Sequence, residues 1–360
     1  MKLLMISNQG NYSHIQTHIY YIARIIRNNE TELTILTPND GGWSQKMAQS
    51  GYQVTVLDFL KSKFKAWIAF YKYLKLNHFD VIHAHDIPPF WGIVARWASK
   101  TSRLVHTFHS GGVSSKLGFL DKISLRKMDH VITIAANERL KFIEQGVPAQ
   151  LLEHIPYGIS ERFYVNNMPY QKSQFRRMFH LPDRGFLVGA LGRFEKRNGF
   201  TYLIDALNLL KADTDVKLAL IGDGPQKSEL MEKIHQCHLK TRIHFTGFCD
   251  RIYDIIPALD LLIIPYVTNE YSIIPLEAMA AGVPVVAFSQ PYLEDLAIEF
   301  ESIALVPEKD TEALAESIRE LYKDEAKLDS LALSAFMKAQ EYHQELMMEK
   351  IKEIYGIKEE

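Results

Sequence analysis

Residues 261–288 read LLIIPYVTNEYSIIPLEAMAAGVPVVAF. The runs 261–265 and 284–288 are continuously apolar, the pattern of strands buried on both faces of a parallel sheet. Between them Pro275 suits the first position of a helix and Gly282 suits its stop. Pro284 confirms that stop. Strand, helix and strand in 28 residues make a βαβ unit.

The alternation extends in both directions. Strand-like runs fall at 3–7, 33–37, 54–57, 81–84, 104–108 and 131–135, with helical patterns at 15–27, 61–76 and 87–99. A polar stretch at 164–184 then interrupts the pattern and reads as a linker with a lead-in helix. Strands resume at 186–191, 217–221 and 243–245, with helices at 200–211, 228–237 and 252–258. Two helices from Thr311 onward close the chain. The fold class expected is α/β, two Rossmann-like doubly wound parallel-sheet domains facing across a cleft. The expected limits are 1–165 and 166–340, with a C-terminal helix at 341–360 packing back on the first domain. Ligands of such sheets bind at the carboxyl ends of the strands, so site residues are sought just after them.

Bulk properties narrow the function. The chain has 360 residues, 47% apolar and 23% charged, with a net charge of -2. A balance this close to neutral argues against nucleic acid as the main partner. Cys237 and Cys249 fit neither a zinc site nor a disulfide framework. Residues 1–8 are too short for a signal peptide. The most apolar stretch, 255–267, is broken by Asp260 and two prolines. A cytoplasmic protein is expected.

Three segments follow strands in the second half. Gly192-Arg193-Phe194-Glu195-Lys196-Arg197-Asn198-Gly199 sets three cations at a strand end. It fits a diphosphate clamp or, equally, a solvated turn. Gly222-Asp223-Gly224-Pro225 reads as a turn. Residues 269–282 end in a helix whose first amides and dipole would face an anion, with Glu277 in the first turn. A lone Glu there is also common for dipole reasons alone.

The first and third segments together, with Pro275-Leu276-Glu277-Ala278-Met279-Ala280-Ala281-Gly282-Val283-Pro284 as the most specific stretch, resemble the retaining group 1 glycosyltransferases of GT-B fold. Val81-Ile82-His83-Ala84-His85, Val105-His106-Thr107-Phe108-His109, Asp129-His130-Val131-Ile132-Thr133-Ile134 and Ile155-Pro156-Tyr157-Gly158-Ile159 follow the same family's pattern. The resemblance implies a UDP- or GDP-linked sugar as donor substrate, a glycan or glycolipid acceptor, and no cofactor or metal. It implies that Arg193 binds the donor diphosphate with Gly192 and Lys196. Glu277 would hold the ribose, and the amides at Ser272, Ile273 and Ile274 would meet phosphate oxygens. His109 would lie beside the transferred sugar. Transfer would retain configuration along a front-face path, the leaving phosphate assisting acceptor deprotonation.

Four positions depart from that family. The second glutamate expected eight residues before Glu277 is Asn269, and Glu270 serves as a catalytic residue only if the loop shifts by one. The second phosphate lysine is Asn198, leaving Lys196 or Arg197 to compensate. The glycine pair after the first strand is Ser13-His14, and a glycine-rich loop near 289–293 reads Ser-Gln-Pro-Tyr-Leu. The departures leave a second reading open, a catalytically impaired relative that partners an active transferase.

His83-x-His85-Asp86 places two histidines on one strand face, but no third metal ligand is evident in sequence. Residues 59–79 combine five lysines, no acid before Asp80 and seven aromatics. They fit either a helix packed on the sheet or a peripheral contact with the inner face of a membrane.

Overall fold

The computed structural model describes residues 1–11, 13–27, 31–59, 63–99, 102–109, 117–164, 169–268, 271–297 and 301–357. The chain divides into two compact units, Met1–Tyr157 with Glu345–Glu360, and Gly158–Gln344. The polar stretch at 164–184 therefore follows the first boundary rather than marking it.

The first unit contains β1 (Lys2–Ile6), α1 (His14–Ile26), β2 (Glu32–Thr37), α2 (Gly42–Gln49), β3 (Gln53–Val56), α3 (Lys63–Leu76), β4 (Val81–His85) and α4 (Trp91–Ala98). It continues with β5 (Arg103–Phe108), α5 (Phe119–Leu125), β6 (His130–Thr133), α6 (Ala136–Glu144) and β7 (Leu152–His154). The strands form one parallel sheet in the order β3-β2-β1-β4-β5-β6-β7. Order reverses between β1 and β4, the ligand position of doubly wound sheets. Alternate residues feed opposite faces. Leu4, Ile6, Ile82 and Leu104 pack with Phe70 and Trp91 of α3 and α4. Leu3, Met5, Val81 and Val105 pack with Ile15, Ile19 and Ile22 of α1.

The second unit contains α7 (Pro169–Met178), β8 (Leu187–Leu191), α8 (Phe200–Leu210), β9 (Lys217–Ile221), α9 (Lys227–Gln236), β10 (Ile243–Gly247) and α10 (Ile252–Ile255). After these come β11 (Leu261–Ile264), α11 (Ile274–Ala280), β12 (Val285–Phe288), α12 (Pro291–Ala297), β13 (Ala304–Val306), α13 (Thr311–Lys323) and α14 (Glu325–Ala339). Its parallel sheet runs β10-β9-β8-β11-β12-β13, with the reversal between β8 and β11. Phe200, Leu203, Ile204, Leu207 and Leu210 recur at helical spacing on α8 and are all buried in this core. Burying each such side chain contributes about 1.5–3 kcal/mol.

Three helices follow Asp310 among the described residues; Asp310 and Asp324 cap the first two, accepting from the amides of Ala313 and Lys327 at 2.9 Å. The third, α15 (Gln344–Tyr355), sends Met347, Met348, Ile351, Ile354 and Tyr355 into the core of the first unit, on the α1 face of its sheet.

Candidate functional site

β8 ends in the loop 192–199. Gly192 has φ +143°, and a Cβ there would lie 3.2 Å from the Tyr266 hydroxyl. Gly222 follows β9, and its Cβ would fall 2.0 Å from the Gly192 carbonyl oxygen. The two backbones therefore touch, which only glycine permits. The Phe194 amide donates to the Asp223 carbonyl and the Gln226 amide to the Phe194 carbonyl, both at 2.9 Å. Residues 222–225, a plain turn in sequence, buttress the 192–199 loop.

Phe194 is fully buried between charged neighbours that face outward. Arg193 Nε lies 2.8 Å from Glu195 Oε1, and Arg197 Nε 2.9 Å from Glu195 Oε2. The Arg193 side chain is 71% exposed, and Lys196 is exposed as well. Two arginines thus share one carboxylate, with exposed Lys196 beside them. Exposed ion pairs of this kind are worth only about 0–1 kcal/mol, so an incoming anion displaces them at little cost. Asn198 supplies no charge. Its Nδ2–H donates to the Arg193 carbonyl at 2.6 Å and ties the two ends of the loop together.

The neighbouring strand β11 leads into the same place. The Tyr266 hydroxyl donates to the Leu191 carbonyl at 2.6 Å, and the Val267 amide to the Arg197 carbonyl at 2.8 Å. Helix α11 starts at Ile274, so Pro275 is its second residue rather than its first. Proline remains tolerated there because first-turn amides lack intrahelical partners. Ser272 Oγ accepts from the Ile274 amide at 3.3 Å, and the Ile273 amide has no acceptor among the described residues. Gly282, at φ +67°, ends the helix as expected. Glu277 is 4% exposed, and its Oε2 is buried with no partner among the described residues. Burial pushes its carboxyl up to about 8. Asn269 and Glu270 lie outside the described residues.

Two other departures have local explanations. Ser13, in place of a glycine, caps α1 by accepting from the Ile15 amide at 3.2 Å. The segment 289–293 is not a loop throughout, since α12 starts at Pro291. Gln290 is buried and donates to the Tyr266 carbonyl at 3.3 Å.

In the first unit His109 follows β5 and is fully buried. Its amide donates to Asp86 Oδ1 at 3.3 Å. Its ring nitrogens are both engaged, Nδ1 with the Tyr157 hydroxyl at 2.7 Å and Nε2 with His85 Nδ1 at 3.0 Å. His18, one turn into α1, packs edge-on against this pair, with ring centroids 5.0 Å from His109 and 5.7 Å from His85. Ligand atoms of His18, His85 and His109 lie within 4.8 Å of one another. The cluster keeps His85 of the expected His83–His85 pair but joins it to His18 of a helix and His109 beyond β5, leaving His83 out. A metal would compete with the His85–His109 hydrogen bond for its ligand atoms. Burial depresses the ring of every member, His18 to about 3, so all three are neutral near pH 7. His83 belongs to the same face and bonds Thr107 and Tyr355, whereas His106 faces the α3 side.

Helix α3 divides its aromatics. Ala66, Phe70 and Leu74 are buried in the core, while Trp67, Ile68, Tyr71 and Leu76 are exposed with Lys65, Lys72 and Lys75. No helix among the described residues is long and apolar enough to cross a membrane.

Comparison with known proteins agrees with this geometry. Residues 171–336 match the family model described as glycosyl transferases group 1, and residues 15–163 match that of glycosyltransferase family 4. An uncharacterized glycosyltransferase of Methanocaldococcus jannaschii is 27% identical over 231 residues, 60% of this chain and 59% of that protein. The 2-deoxystreptamine glucosyltransferase of Streptomyces kanamyceticus is 30% identical over 187 residues, 51% of this chain and 48% of that protein. The chain thus spans between about half and three-fifths of the length of these relatives. In fold, Anabaena HepE in complex with UDP superposes with a TM-score of 0.83 at 24% identity, covering 99% of this chain and 100% of that one. Two parallel sheets sharing one order over their first six strands, a cationic loop at the reversal point of the second, and the likeness to HepE give the chain the GT-B fold, and the matched models assign its second unit to the group 1 glycosyl transferases and its first to glycosyltransferase family 4.

Proposed function

We propose that this protein is a retaining, metal-independent glycosyltransferase that moves a sugar from a UDP- or GDP-linked donor to a glycan or lipid-linked acceptor. The observation that carries the proposal is the buried Glu277 oxygen, without a partner among the described residues, on the helix that follows β11, with a loop of three cations after the neighbouring β8. A nucleoside diphosphate supplies what each lacks, ribose hydroxyls for the carboxyl and anionic oxygens for the cations. In this reading the second unit binds the donor and the first takes the acceptor. Arg193, with Lys196, engages the diphosphate, and the α11 end at Ser272, Ile273 and Ile274 adds amide and dipole stabilisation. Asn198 contributes by holding the Arg193 carbonyl, and so the loop's shape. HepE, of like fold, has been seen with UDP and with UDP-glucose, which supports this class of donor.

The chemistry balances without a metal. The donor's C1–O bond breaks as the acceptor oxygen bonds C1 from the same face. The departing phosphate oxygen takes the acceptor's proton. Cationic side chains and helix-end amides stabilise the charge that develops on the leaving diphosphate. The exposed lysines and aromatics of α3 provide a peripheral contact with an anionic membrane, bringing a lipid-linked acceptor within reach.

The test is incubation of the purified protein with UDP-glucose and GDP-mannose, with and without EDTA, followed by NMR of the anomeric proton in the product. An α-linked product formed equally well in EDTA supports the reading. An inverted product, or activity abolished by EDTA and restored by a divalent metal, contradicts it.

A further inference from the structure

At the start of α6, outside the donor site, lies a group of buried side chains that the proposed chemistry does not use. Helix α6 begins directly after β6 and is capped by Ala135, which has no side chain to cap with. Its second and third residues are Asn137 and Glu138. Glu138 is 1% exposed, and neither of its carboxylate oxygens has a partner among the described residues. Asn137 Oδ1 is likewise buried and unpartnered. A glutamate at the third helical position ordinarily reaches back to the cap residue's amide. Glu138 makes no such bond. Asp86, at the carboxyl end of β4 with φ +53°, stands near enough to act on Glu138 electrostatically, and its Oδ1 already accepts the His109 amide.

We propose that Asn137 and Glu138 form a hydroxyl-recognition site at the carboxyl end of the first sheet, taking a vicinal diol of the sugar or polyol acceptor. Burial raises the Glu138 carboxyl to about 8, so near pH 7 one of its oxygens carries a proton and donates, while the other and Asn137 Oδ1 need donors. The α6 amides of Asn137 and Glu138, which have no acceptor among the described residues, need acceptors. A phosphate or carboxylate only accepts, and would leave Asn137 Oδ1 and the carbonyl oxygen of Glu138 unmet. An ammonium only donates, and would leave the amides unmet. Adjacent hydroxyls do both, and planar carboxyl and amide groups match their spacing. The group sits on the first unit, while the donor residues sit on the second.

This inference rests on the transferase reading, because it takes the first unit as the acceptor side, but its test does not require turnover. Saturation-transfer NMR with methyl α-D-glucopyranoside, methyl α-D-galactopyranoside and myo-inositol is run on the full chain, wild type, Glu138→Gln and Asn137→Ala. Calorimetry with UDP and GDP is run on the same samples. The expected result is transfer to at least one diol probe, reduced at least fivefold in both variants. Nucleotide affinity and melting temperature should stay within error of wild type or, for Glu138→Gln, rise in melting temperature. Undiminished transfer in the variants, or no transfer to any probe with wild type, overturns the proposal. So does a lower melting temperature of Glu138→Gln with sugar binding intact, which assigns the carboxyl to the fold. If nucleotides fail to bind while the diol signal depends on Glu138, the donor reading falls and this site stands.

Discussion

Replacing Glu277 with Gln removes a proton equilibrium while keeping the side chain's shape. Burial raises the carboxyl from 4.5 to about 8, so the folded second unit holds a proton that the unfolded chain releases above about pH 4.5. The resulting stability is fully present below that pH and is lost as pH rises through about 8. Within the window the slope is about 1.4 kcal/mol per pH unit for one proton. From pH 6 to pH 8 wild type therefore loses about 2.5 kcal/mol that Glu277→Gln does not. For a domain of this size that corresponds to roughly 5–10 °C in melting temperature. Scanning calorimetry of both proteins at pH 6, 7 and 8 measures it. The variant's advantage over wild type should grow by that amount from pH 6 to pH 8. Parallel pH profiles would refute the claim that this carboxyl is held neutral and unpartnered. Keeping such a group at a cost in stability is what a binding residue does, so the variant should also bind nucleotide more weakly.

Gly222→Ala drives a methyl to 2.0 Å from the Gly192 carbonyl oxygen and should weaken nucleotide binding at least tenfold while leaving the first unit folded, as read by calorimetry and circular dichroism. Acid should destabilise the first unit, because His18, His83, His85, His106 and His109 are all depressed by burial. Their stabilisation is complete above about pH 6.5 and is lost below it at about 1.4 kcal/mol per pH unit per ring, so melting temperature should drop between pH 7 and pH 5. A flat profile over that range contradicts the buried cluster. Co-sedimentation with vesicles containing phosphatidylserine should show binding that Lys65→Glu, Lys72→Glu and Lys75→Glu together abolish; binding unchanged by the triple variant excludes α3 as the contact.

The sheets were legible because their central strands are continuous apolar runs buried on both faces, as in β8 and β11. Helices α2 and α5 were not. Each starts beside glycine, and the signal for both is short. The three-residue strand β13 carries too few residues to show a period. The donor-side residues could be read because Arg193 and Glu277 follow strands and lie in a specific local pattern. Gly222 could not, since its role depends on a backbone contact with a strand neighbour rather than on its own loop. His18 was hidden for a related reason. It lies on α1, far in sequence from His85 and His109, and only the packing of α1 on the sheet brings the rings together. Glu138 reads in sequence as one more acid at a helix start, and only its burial without a partner sets it apart.

Calorimetric titration of the purified protein with UDP, GDP and ADP, in wild type and in Arg193→Ala, tests the central claim most directly. The account predicts micromolar binding of one nucleotide, unaffected by EDTA and weakened at least tenfold, or about 1.4 kcal/mol, by the substitution. Binding of none of the three, or equal affinity in the variant, would contradict the donor site and favour a catalytically impaired relative that partners an active transferase.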